Sequence, residues 1–142
     1  MANAGASKGP DRFFIKLGND ISAVEEVRQA LLAYLENFRL EPMVVNRVEV
    51  ILEELVSNVA RHADAASYVS VGAEYADGAI AIRIEDDGAA FNPLEKRAPA
   101  AFTDVESATL GGQGIPLIKR LSRSVRYDRV DDANRISVVI AA

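Results

Sequence analysis

The chain has 142 residues, 49% of them apolar, and a formal charge of −5. That length suits one domain with a core of its own, and the acidic balance argues against a general binder of nucleic acid or anionic membrane. There is no cysteine and a single histidine, His62, which excludes disulfides, thiolate nucleophiles, sulfur-ligated metals and His-rich metal sites.

No apolar run approaches the roughly 20 residues of a membrane-spanning helix. Residues 1–10 lack the charged-then-apolar pattern of a signal peptide, and their small residues, glycine and proline predict a flexible tail. Residues 11–142 are expected to form one domain in a soluble, cytoplasmic setting. Phe13, Ile15 and Leu17 alternate with Phe14 and Lys16, as in a short strand. Ser22 with Glu25 has the spacing of a capping box. Val24, Val27, Leu31, Tyr34, Leu35 and Phe38 then recur at helical spacing. Pro42 suits a first helical turn, and a second helix is predicted from it to about His62, with Val44, Val48, Ile51, Leu52, Leu55 and Val59 buried.

Beyond that helix the period changes to two. Val69, Val71, Ala73 and Tyr75 alternate, Asp77-Gly78 signals a tight hairpin, and Ile80, Ile82 and Ile84 alternate again. From Ala89 to Leu110 no period is held, the pattern of a functional or disordered loop. A glycine cluster precedes a short helix carrying Ile115, Leu117, Ile118 and Leu121. Strands over about Ser124 to Val130 and Arg135 to Ala141 are joined through Asp131-Asp132-Ala133-Asn134. The order β-α-α-β-β-α-β-β implies an α+β fold: a two-layer sandwich, with helices covering one face of a mostly antiparallel mixed sheet.

Three short pieces carry chemistry. Glu54 and Asn58 are one helical turn apart and share a face. An amide oxygen together with phosphate oxygens suits Mg²⁺, which takes hard ligands and keeps several waters. A carboxylate one turn away can orient or deprotonate an attacking hydroxyl. Alone, such a pair is also what a solvated helix face carries. Asp86-Asp87-Gly88 ends a strand, where a carboxylate can accept from an adenine amino group beside a glycine that admits a ligand closely; a plain turn has the same composition. Gly111-Gly112-Gln113-Gly114 precedes Ile115-Pro116-Leu117-Ile118, so backbone N–H groups at a helix start offer an anion site. No Gly-Lys-Ser/Thr follows, and neither a Walker loop nor a dinucleotide fingerprint is present. His62 reads as a cap or packed imidazole, and Lys96, Arg97, Lys119 and Arg120 as surface charges within reach of phosphates or a partner.

Assembled in this order, the chain resembles the GHKL superfamily of ATPases and kinases, and more narrowly the anti-sigma-factor serine/threonine kinases, from about Arg12 to Ala142. Leu52 to His62 is similar to the family's N box, Glu85 to Leu94 to its first glycine box, and Gly111 to Ile118 to its second. The resemblance implies the Bergerat ATP-binding fold and Mg·ATP as ligand. It implies Glu54 as general base or water-orienting carboxylate and Asn58 as the Mg²⁺ holder. Asp86 would read the adenine amino group, and Gly88 would let the backbone approach. Gly112 and Gly114 would wrap the phosphates, with Gln113 and Ile115 beside them in the nucleotide-binding set. Asn92 to Leu110 would be the ATP lid. Ala90 departs from the family's pattern, which often has a second glycine there.

The function implied is a protein serine/threonine kinase acting on a STAS-type anti-anti-sigma factor in a partner switch, with a sigma factor as a further partner and a homodimer as a possible assembly. The alternative is a non-catalytic nucleotide-binding module that sequesters a sigma factor or other regulator. A histidine-kinase fragment is a weaker reading, because the lone His62 lies inside the N box and no phospho-accepting helix is evident.

Overall fold

The computed structural model describes residues 12–20, 22–62, 66–95 and 114–142. Strand β1 (Phe13–Gly18) is followed by helices α1 (Ser22–Leu35) and α2 (Pro42–His62), then by β2 (Tyr68–Ala76) and β3 (Ala79–Asp86). A single 3₁₀ turn, Pro93–Glu95, precedes helix α3 (Gly114–Leu121) and strands β4 (Ser124–Val130) and β5 (Ala133–Ala141). The strands form one open five-stranded sheet in the order β1-β2-β3-β5-β4. Every described pairing is antiparallel. The expected tail over residues 1–10 lies outside the described residues.

The period-two pattern explains which face is covered. Val69, Val71 and Ala73 of β2, Ile80, Ile82 and Ile84 of β3, and Ile136, Val138 and Ile140 of β5 are all buried and share one core with the helices. From α1 that core takes Ala23, Val27, Leu31, Tyr34 and Leu35, and from α2 Val44, Val48, Ile51, Leu52, Leu55, Val56 and Val59. Helix α1 packs over β1 and β2, and α2 lies over β3 and β5. Helix α3 anchors on α2 and β4, with Ile118 fully buried. Phe14 on the opposite face of β1 stays exposed, as its place in the alternation requires.

Two local expectations are corrected. The expected capping box at Ser22 and Glu25 does not form. Asp20 caps α1 instead, its Oδ1 accepting from the Ser22 N–H at 2.8 Å and from the Ser22 hydroxyl, while its carbonyl accepts from the Ala23 N–H. Glu25 is drawn to Arg28 and Gln29 on its own helix. The polar run from Asp131 to Asn134 is likewise not all turn. Only Asp131 and Asp132 make it, with φ of 51° and 65°, a primed hairpin whose twist matches the strands. Ala133 and Asn134 already belong to β5.

Both residues of that hairpin occupy the left-handed region without a glycine, whereas Asp77-Gly78 places a glycine at φ 73°. Asp132→Gly should therefore stabilise the domain by about 0.5–1 kcal/mol, read as a raised midpoint in urea unfolding with unchanged slope.

Candidate functional site

Helix α2 crosses the ends of the two central strands, and the cleft lies in that crossing. Leu55 and Val59 from α2, with Ile84 and Ile136 from the sheet, supply its apolar lining. Phe91 and Pro93 add to the wall, and Asn58, Asp86 and Asn134 are the polar groups. The space among them, counted out to the open mouth, is about 380 Å³. An apolar slot with a few convergent polar groups is the usual form of a small-molecule site.

Asp86 continues the inward row Ile80, Ile82, Ile84 and is only 6% exposed. Burying a carboxylate there requires hydrogen bonds. Its Oδ1 accepts from the Gly88 N–H at 2.8 Å and from the Asn134 side-chain amide at 3.1 Å. Among the described residues no hydrogen bond falls on Oδ2. Asp87 points elsewhere: it accepts from the Ser67 and Tyr68 N–H groups and from the Ser67 hydroxyl, tying the start of β2 to the end of β3. The Ser67 hydroxyl above all holds the Asp87 carboxyl below its ordinary value of 3.8; burial opposes it, and the Ser67 and Tyr68 N–H groups add smaller lowering effects. Gly88 is buried, and its carbonyl accepts from Arg129 of β4 at 2.8 Å.

Asn134 was not among the residues expected in the site. It sits opposite Asp86 in the β3–β5 register and is 5% exposed. Its amide nitrogen donates to Asp86 Oδ1 and to the Ala89 carbonyl at 2.9 Å. Its oxygen accepts from the Phe91 N–H at 3.1 Å and from the Tyr127 hydroxyl at 2.6 Å. The signal was present in the sequence: Ile136, Val138 and Ile140 alternate, and one more step backwards places Asn134 on the same inward face.

On α2, Glu54 and Asn58 do share a face, but Asn58 lines the cleft whereas Glu54 stands a turn away, half-buried. Arg61 joins them: its guanidinium donates to Asn58 Oδ1 at 2.8 Å and approaches Glu54 Oε2 at 3.5 Å. A cation already rests between the amide oxygen and the carboxylate oxygen, so the pair is built to attract positive charge. The Asn58 amide oxygen on the cleft lining fits Mg²⁺, which takes few protein ligands and completes its shell with water and phosphate. Among the described residues no cluster of three or more acidic or histidine ligands exists for a self-sufficient metal centre.

Gly112 and Gln113 lie outside the described residues, as do Gly111, Lys96 and Arg97. Gly114 opens α3 and Ile115 follows within it. Lys119 and Arg120 are exposed on α3. Of the lid expected over residues 92–110, the described part is Asn92 and the turn Pro93–Glu95.

Residues 17–140 match the family of histidine kinase-like ATPase domains. The chain belongs to that family, as the resemblance to GHKL proteins and anti-sigma-factor kinases led us to expect. It is similar to the serine/threonine-protein kinase BtrW of Bordetella bronchiseptica, with 21% identity over 84% of this chain and 89% of that protein. Its fold matches the structure of the RsbU and RsbW domains of Rv1364c from Mycobacterium tuberculosis, with a TM-score of 0.67, 17% identity and 92% of this chain covered. The chain spans about a third of that longer protein, 32%. It also matches the SiaB-SiaC complex from Pseudomonas aeruginosa, with a TM-score of 0.61, 15% identity, and coverage of 92% of this chain and 89% of that one. No described helix is long and apolar enough to cross a membrane.

The Asp87 anchor yields a pH test. A carboxyl held below 3.8 in the folded state stabilises the fold above its unfolded value, and that contribution is lost as pH falls through the lowered one. Asp87→Asn should lower the melting temperature at pH 7, and the gap to wild type should close as pH falls below the ordinary carboxylate range and through the lowered value, as followed by circular dichroism.

Proposed function

We propose that the chain is an anti-sigma-factor-like serine/threonine protein kinase, working in the cytoplasm, that binds Mg·ATP and phosphorylates a STAS-type anti-anti-sigma partner. The observation that carries the reading is Asp86. It is a buried carboxylate with one oxygen held by two donors and the other without a described partner, at the polar end of an apolar slot. A flat base with an exocyclic amino group meets those demands: its faces pack against Val59, Ile84 and Ile136, and its amino group donates to Asp86. Gly88 lets the backbone follow the base closely.

Asn58 is the residue to hold Mg²⁺, with Glu54 beside it. Held there, Mg²⁺ would supply positive charge against the charge that develops on the phosphates. Glu54 accepts the proton of the partner's hydroxyl as its oxygen bonds to the γ-phosphorus and the bond to ADP breaks. Arg61 donates to the same Asn58 oxygen, so its positive charge opposes a metal ion placed there. Gly112, Gln113, Gly114 and Ile115 are assigned to the phosphates, where N–H groups at a helix start favour anions. Transfer to the partner changes the affinity of each for the other, which is what lets the protein exchange it for a sigma factor.

In calorimetry, Mg²⁺ should strengthen ATP binding by wild type, and Asn58→Ala should blunt that gain while leaving metal-free binding in place. Glu54→Gln should keep ATP affinity and slow transfer to a verified STAS partner by about 10²–10⁴. ATP bound with no phosphate on the partner, even with wild type, would leave a non-catalytic module that sequesters its regulator.

A further inference from the structure

Resting on that reading of Asp86 as the base-reading group, we infer that Asn134 is the positioning residue that makes Asp86 selective for an adenine amino group. A primary amide has two N–H donors and one oxygen with two lone pairs. In Asn134 all four are used: the donors go to Asp86 Oδ1 and the Ala89 carbonyl, and the oxygen accepts from the Phe91 N–H and the Tyr127 hydroxyl. The side chain is 5% exposed, so no water is needed to complete it. A buried amide with nothing spare is fixed in rotation, and its donor end cannot swap with its acceptor end without losing all four bonds.

That orientation decides the chemistry of Asp86. The amide N–H and the Gly88 N–H both fall on Oδ1, so the carboxylate plane is set from one side and Oδ2 is the acceptor left for a ligand. The same amide oxygen and nitrogen clamp Ala89 and Phe91, the loop that forms one wall of the cleft. Asn134 thus fixes acceptor and wall together from the neighbouring strand, and it acts on the base through Asp86 rather than by touching it. Tyr127 on β4 holds the amide in turn.

The test is a cycle between the side chain and the ligand's amino group. The affinities of wild type, Asn134→Ala and Tyr127→Phe are measured by calorimetry for ATP and for purine riboside triphosphate, which lacks the amino group; thermal unfolding checks each variant. Asn134→Ala should weaken ATP by about tenfold or more, the worth of a hydrogen bond to a charged group, and leave the purine analogue within about twofold. Tyr127→Phe should shift ATP alone, by less, and decides the matter if Asn134→Ala does not fold. Equal weakening of both nucleotides would mean a structural staple and would overturn the inference, as would no weakening of ATP. Wild type that binds ATP no better than the analogue would instead overturn the reading of Asp86, and the inference with it.

Discussion

The carboxylate of Asp86 is buried at the end of an apolar row, and the site is arranged around that fact. A charge in the low-dielectric interior is tolerated only where donors converge on it. Here one donor comes from the turn that follows, through Gly88, and one from the next strand, through Asn134. The first bond bends the chain sharply after β3. The second ties that bend to β5, and Arg129 on β4 takes the Gly88 carbonyl. Three strands therefore determine where one loop runs, and that loop carries Phe91 and Pro93 into the cleft.

The elements were legible because each obeys one period. Ile80, Ile82 and Ile84 predict a strand and its buried face in a single reading, and Val44 to Val59 does the same for α2. What escaped was decided by competition between polar residues. Asp20 and Ser22 both suit an N-cap, and the residue earlier in the chain took the role because its carboxylate reaches two donors at once. The run Asp131 to Asn134 looks uniformly like turn, since Asp and Asn are favoured there. Two residues suffice for the reversal, and Asn134 is left to enter the sheet. Composition marks a turn's presence; only the register of the following strand marks its end.

The candidate residues divide along the same line. Asp86 and Asn58 were legible from the order of their motifs rather than from a period, and the structure brings both to the cleft, one at the end of an alternating strand and the other on α2. Arg61 was not, because a bridge from it to Asn58 and Glu54 depends on a rotamer that spacing permits without requiring. The fold itself tolerates wide sequence change. Structures sharing 17% and 15% identity with this chain keep its shape at TM-scores of 0.67 and 0.61, as expected when burial pattern rather than residue identity specifies the core.

The two halves of the cleft rest on different supports. Asp86 and Asn134 belong to adjacent strands in the middle of the sheet, where hydrogen-bonded neighbours on both sides hold the backbone. Glu54, Asn58 and Arg61 lie along about two turns of one helix, and Glu54 and Arg61 extend beyond the cleft lining. In the strand pair Asn134 is fully satisfied, and Asp86 presents one acceptor. The helix group is held together by the Arg61 guanidinium. The first half is thus fixed in advance by its own hydrogen bonds, whereas the second depends on one exposed cation. If the proposed reading holds, a base meets a rigid site while the reactive end must first accept a metal, so the protein can hold nucleotide without committing it to transfer.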